Sequence, residues 1–256
     1  MPDVSAQNTD AKRREGSSAV TEAIPTSSNH SQTLSRGIQM LEILAEADAG
    51  VSIAELSKAL GVHRSIAYRI LRTLEDHGLV TRSDAGVVSL GSRMVYLARN
   101  VAPTMRATVQ PELVEAANEL GVTCFMSVLD RAECITLISA EPTTATAAVV
   151  QRPGSRHSIA VGAPGLAIQS SLTQSQWLAI APGESRRPEI DDIRGRGYAT
   201  SHDEVISGVS SVAVPLQIGG EGPAAIAAVF VTGAADLAAV AERLQLAVAR
   251  IAPRSR

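Results

Sequence analysis

From Leu34 onward the apolar positions step by three and four. Leu34, Ile38, Leu41 and Ala45 form one stripe that ends near Gly50, the spacing of an amphipathic helix. In "SIAELSKALG", Ser52 followed three residues later by Glu55 is a capping box. Ile53, Leu56 and Leu60 supply a buried stripe, and Gly61 ends the segment. A third helix opens near Arg64 and buries Ala67, Ile70, Leu71 and Leu74. After Gly78 the period changes. "LVTRSDAGVVSLG" reads as two short strands around Asp84, Ala85 and Gly86. Three helices followed by a hairpin predict a winged helix-turn-helix over residues 33–91.

Helical spacing resumes at Met94, Leu97, Ala98 and Val101, predicting a linker helix over 92–106. Its stripe needs a partner, either a second copy of the chain or its own domain. Beyond Pro111, "ELVEAANELG" predicts a helix ending at Gly121, and "TCFMSVLD" and "ECITLISA" predict a hairpin. A further strand is expected around 147–150. Helices are expected after the glycine turn of "GAPGLAIQSSL", in "TQSQWLAI" and before Gly197. "SSVAVPLQI" and "AAIAAVFVTG" read as two more strands around Gly219, Gly220 and Gly222, and "LAAVAERLQLAVARI" as the closing helix. Strands gathered into one antiparallel sheet with helices beside it make an α+β domain over 107–256. Residues 1–32 are polar, small and aperiodic, and are expected to form a disordered tail.

Composition refines this picture. Only 2% of the 256 residues are aromatic, so the cores must be built from Val, Ile, Leu and Ala. The formal net charge of -3 offers nucleic acid no global attraction, but charge is unevenly spread. From Arg64 to Arg106 there are seven Lys or Arg against three Asp or Glu, and from Ala107 onward eleven against fifteen. A basic segment on an acidic partner suits a protein that meets phosphate with one end. Cys124 and Cys134 lie in apolar runs and read as reduced core residues. No apolar stretch reaches the roughly 20 residues of a membrane helix, so a soluble cytoplasmic protein with no membrane partner is expected.

Catalytic signatures are missing. There is no Gly-x-Ser-x-Gly elbow, no phosphate loop, and no paired Cys or His at metal-ligand spacing. A Ser/His/Asp set could be drawn from His157 or His202 with Asp203 and Ser211, but nothing in their spacing supports it. The expectation is no enzyme, no cofactor and no metal.

The chemistry sits instead on the third helix. At about 100° per residue, Ser65, Tyr68, Arg69 and Arg72 fall opposite the buried stripe. Arg64 stands at the helix entrance and Arg82 at the base of the hairpin. A solvated polar face would show the same residue types. The second helix of a helix-turn-helix, however, enters the major groove of DNA, where Arg69 or Arg72 could pair with a guanine and Ser65 with a base or phosphate. Lys12, Arg13 and Arg14 could brush phosphates from the tail.

At this point the chain resembles an IclR-type transcriptional regulator from about Thr33 to Ile251. The likeness is carried by "GVSIAELSKALGVHRSIAYRILRTLEDHGLVTRSDAGVVSLG", "PGSRHSIAVGAPGLAIQ", "GRGYATSHDEVISGVSSVAVPL" and "AAIAAVFVTGAA". The resemblance implies a GAF-like effector domain, a homodimer or homotetramer, and binding to double-stranded DNA that is altered by a small molecule, often an organic acid or aromatic compound. A repressor is the expected sign, and the alternative is a sensor that acts through protein contacts. Carried over by position, the family's effector pocket falls on Gly162, Ala163, Ser201, Ser211, Phe230 and Thr232. Several of these depart from the family pattern. Leu166 replaces a Lys, Ser201 an Asp and Ser211 a Cys, and Phe230 and Thr232 replace two serines. Pro164 removes one N–H from the helix start. Asp203 and Glu204 match a family acidic pair.

Overall fold

The computed structural model describes residues 31–47, 49–144, 148–219 and 222–252. They form two compact units, the first ending at Leu97 and the second starting at Ala98. The tail expectation, with Lys12, Arg13 and Arg14, falls almost wholly outside the described residues.

The first unit runs α1 (Gln32–Glu46), β1 (Val51–Ser52), α2 (Ile53–Ala59), α3 (Arg64–Asp76), β2 (Val80–Arg82), β3 (Val87–Leu90) and α4 (Arg93–Ala98). The capping box forms as the spacing predicts: the Glu55 backbone N–H donates to Ser52 Oγ, and Glu55 Oε2 accepts from the Ser52 backbone at 2.9 Å. Met40, Leu44, Ile53, Leu56, Ala67, Ile70, Leu71 and Leu74 meet in one core. The wing has three strands, in the order β1-β3-β2, because Val51 and Ser52 pair with Val88 and Val87. Gly91 closes the wing by donating its N–H to the Leu79 carbonyl at 2.7 Å. A Cβ there would stand 2.3 Å from the Gly78 carbonyl oxygen, so only glycine permits the approach.

The linker helix is shorter than its apolar spacing predicts. α4 ends at Ala98, and Ala102, with φ 48°, sits at the start of the next helix without a side-chain cap. That helix, α5 (Pro103–Leu120), begins before Pro111 rather than after it. Pro103 falls in its first turn, where a missing N–H costs little. Pro111 lies inside, but both it and Ala107 are exposed, so water can take the carbonyl that the ring leaves without a helical donor.

The second unit continues with β4 (Thr123–Asp130), β5 (Glu133–Ala140), β6 (Arg156–Ser158), α6 (Gly162–Ser171), α7 (Gln174–Ile180), α8 (Ile190–Arg196), β7 (Ala199–His202), β8 (Val209–Leu216), β9 (Ala224–Val231) and α9 (Leu237–Ile251). All pairs in the sheet are antiparallel, in the order β6-β5-β4-β9-β8-β7. The strand expected at 147–150 is not one: Ala147 lies outside the described residues, and 148–150 are irregular. The edge partner of β5 is β6 instead.

Alternation along β9 divides the core. Ala224, Ile226, Ala228 and Phe230 face α5 and α9, while Ala225, Ala227 and Val229 face α6, α7 and α8. Cys124 and Cys134 are free and buried, and burial pushes both thiols up to about 12. At pH 8 the native chain should therefore resist iodoacetamide, and both thiols should label once it is denatured. Fast labelling of either under native conditions would contradict this packing.

Candidate nucleic-acid interface and ligand cavity

His63 starts α3, and its Nδ1 accepts the Ser65 N–H at 3.3 Å and lies 2.9 Å from Ser65 Oγ. Arg64, Ser65, Tyr68, Arg69 and Arg72 are all exposed along one side of α3. Tyr68 organises the part nearest the wing. The Arg64 guanidinium stands 5.9 Å and that of Arg82 5.6 Å from the centre of its ring, at cation–π distance. Arg82 also pairs with Glu75, Nε to Oε1 at 3.1 Å. Arg82 is thus held in place before any ligand arrives, whereas Arg69 and Arg72 have no side-chain partner among the described residues and keep their fork-shaped donors for bidentate contacts.

In the second unit, a cavity of about 230 Å³ opens between the sheet and the start of α6. Phe125, Ser201, Val209, Ser211 and Val229 line its sheet side. Gly162 and Pro164 line its helix side, and Glu204, Val205 and Ile206 of the loop after β7 complete it. Gly162 has φ 77°, a left-handed conformation that L side chains adopt only under strain.

The N–H groups at the start of α6 are already engaged. Gly162 donates to Glu204 Oε2 at 2.8 Å and Ala163 to Ser201 Oγ at 2.9 Å. Glu204 Oε2 also accepts from Arg187 Nη1 at 2.7 Å, and Arg187 in turn bonds Glu189. These bonds to Glu204 and Glu189 raise the Arg187 pKa, and the bond from Arg187 lowers that of Glu189.

Of the pocket residues expected from the sequence, Gly162, Ser201 and Ser211 line this cavity. Ala163 reaches its edge only through its backbone, the side chain being buried against the sheet. Phe230 and Thr232 are placed elsewhere. Phe230 packs into the core under α5 and α9. Thr232 Oγ1 lies 3.0 Å from Ser210 Oγ and 3.1 Å from His202 Nδ1, on a second open hollow that Phe230 also lines and that shares Ser201 and Glu204 with the cavity. The cause is the two-residue period of a strand: the pocket face of β9 carries Val229, one position from Phe230. His202 also pairs with Asp203, Nε2 to Oδ2 at 2.8 Å, so the histidine, acid and hydroxyl that meet here include Ser210 and not Ser211. Glu204 is the residue whose role was least visible. The resemblance marks it only as half of an acidic pair, and it holds the N-terminus of a helix 42 residues away.

Sequence comparison matches residues 33–84 to the IclR helix-turn-helix domain and residues 101–248 to the bacterial transcriptional regulator IclR C-terminal domain. The chain belongs to the IclR family. IclR-family members are transcriptional regulators, and this one carries both of the family's domains. An HTH-type transcriptional regulator of Mycobacterium tuberculosis, Rv1719, is 28% identical over 209 residues, covering 75% of this chain and 79% of its own. The acetate operon repressor of Salmonella typhimurium is 23% identical, covering 71% of this chain and 73% of its own. The IclR-family fold is shared with a solved regulator from Alicyclobacillus acidocaldarius, at TM-score 0.78 and 22% identity, covering 89% of this chain and all of that one. An IclR homologue from Microbacterium hydrocarbonoxydans, solved with 4-hydroxybenzoate, aligns at TM-score 0.75 and 19% identity over 88% of this chain and 99% of its own. Among the described residues of this IclR-family chain, no helix is long and apolar enough to cross a membrane.

Proposed function

We propose that this chain is a repressor that binds operator DNA through α3 and the wing, and that a small organic molecule in the cavity beside α6 changes its affinity. Residues 33–91 are assigned to DNA, and the second unit to ligand binding and assembly. The observation that carries the reading is the exposed row of Ser65, Tyr68, Arg69 and Arg72 on the outer face of a helix-turn-helix. Several relatives are named as repressors, which favours that sign. Val95 and Leu97 leave α4 with an exposed apolar side that a second copy would cover. A homodimer or homotetramer in the cytoplasm follows from this reading, with two copies of α3 set to reach half-sites roughly 34 Å apart. Catalysis is no part of it.

Genomic fragments retained by the purified protein should be enriched in a few intergenic sites, including DNA near its own coding region. Retention without sequence enrichment would overturn the reading. Arg82 belongs to the phosphate-facing part, so Arg82→Ala should weaken specific and scrambled duplexes alike and flatten the salt dependence by about one unit of slope. A loss confined to one sequence would make Arg82 a base reader instead.

A further inference from the structure

We propose that the cavity beside α6 takes an uncharged, hydroxyl-bearing small molecule and turns carboxylates away. The proposal rests on the reading of that cavity as the effector site.

The free N–H groups at a helix start are the natural seat for an anion. Here they are occupied from within. Gly162 N–H goes to Glu204, Ala163 N–H goes to Ser201, and Pro164 has none to give. The seat therefore already holds a carboxylate, that of Glu204. Arg187 is the cation beside it, and it is shared between Glu204 and Glu189, so the three side chains together carry one net negative charge. An incoming carboxylate would meet a like charge in a partly desolvated site, which disfavours its ionised form.

The remaining polar wall offers several acceptors beside the donors of Ser155 and Arg156. Ser211 Oγ donates its proton to the Ala228 carbonyl at 2.8 Å, which leaves it lone pairs for a ligand. Glu204 Oε1 accepts no hydrogen bond among the described residues. Gln151 Nε2 donates to Thr136 Oγ1 at 2.8 Å, so its amide oxygen is left to accept. His157 Nδ1 lies 3.0 Å from the Ser158 carbonyl, an arrangement that puts the proton on Nδ1 and leaves Nε2 as an acceptor in the neutral ring. Arg156 is the opposing feature. It lines the cavity as a cation, and Glu133 Oε2, 3.6 Å from its Nη1, offsets that charge. Between these groups the wall is apolar, with Phe125, Val205, Ile206 and Val229. At about 230 Å³ the space falls below the ~300–1,000 Å³ of drug-sized sites. A compact alcohol or phenol that donates hydroxyl protons fits both its size and its acceptors.

The test uses the full-length protein and matched pairs that share a skeleton: benzyl alcohol with benzoate, 4-hydroxybenzyl alcohol with 4-hydroxybenzoate, and glycerol with glycerate. Binding is read by titration calorimetry and ligand-observed NMR at pH 7.5, on the wild type and on Val229→Phe, which fills the cavity. The alcohol of at least one pair should bind no less than tenfold more tightly than its acid, and Val229→Phe should abolish that binding. Glu204→Gln, which removes the resident charge, should narrow the ratio by strengthening the acid. Tighter binding of the acids, lost in Val229→Phe, would overturn the ligand class and leave the cavity as the effector site. Binding that Val229→Phe does not affect, or no binding by any member, would overturn the cavity itself. Should Glu204→Gln fail to fold, the wild-type ratio still decides the ligand class.

Discussion

Replacing Arg69 and Arg72 together by alanine should cost operator binding about 2–6 kcal/mol, since a good bidentate contact to a base is worth about 1–3 kcal/mol. The lower end of that range is already about a 30-fold loss. Both guanidiniums project from the exposed side of α3, and Ala67, Ile70, Leu71 and Leu74 hold the opposite side in the core, so the truncations should leave the fold intact. Binding to a scrambled duplex should fall much less. The two side chains are one turn apart, so the single substitutions need not sum to the double, and the four-member cycle measures their coupling. Fluorescence anisotropy on both duplexes would read the outcome. Equal losses on the two would reduce these arginines to phosphate contacts.

Trp177→Ala should destabilise the second unit by about 3–5 kcal/mol, the usual cost of emptying a large buried site. Trp177 is 1% exposed, and its Nε1–H donates to the Glu184 carbonyl at 3.0 Å. A capping box between Thr173 and Gln176 fixes the start of α7 and so aims the indole inward. Its removal leaves a void and an unpaired carbonyl at the base of the segment that carries Arg187 to Glu204. The variant should therefore lose ligand response together with stability. It is the only tryptophan in the chain, so urea unfolding of the variant is followed by circular dichroism, and the first unit's transition should stay in place. A midpoint unchanged for both units would show that the indole is dispensable.

The N-terminal helices were legible because their signals are local. Leu56, Ile70 and Leu74 keep the helical period, and Ser52 and Glu55 announce a start within four residues. What was hidden depends on distance or on short elements. β1 is two residues long and exists only because β3 lies beside it. β7, with the sequence Ala-Thr-Ser-His, has no apolar alternation and is held as a strand by β8. Pro111 masked the true start of α5, since a helix tolerates proline where both the ring and the stranded carbonyl reach water. The cavity was legible in part. Gly162, Ser201 and Ser211 lie on it, whereas Phe230, counted with them, faces the α5 and α9 core and Thr232 lines the second hollow. Only the Ile226, Ala228, Phe230 alternation reveals that phase, and it requires knowing which core each face meets. No local pattern links Gly162 to Glu204 or Arg187.

Whether the outer face of α3 meets a double helix can be read from amide hydrogen exchange. Full-length protein is compared with and without a duplex recovered from the genomic selection, at low ionic strength. Exchange should slow at the start of α3 and along the wing, over residues 63–73 and 80–90, with the sheet core unchanged. Protection confined to other surfaces, with residues 63–73 exchanging as in the free protein, would contradict that contact.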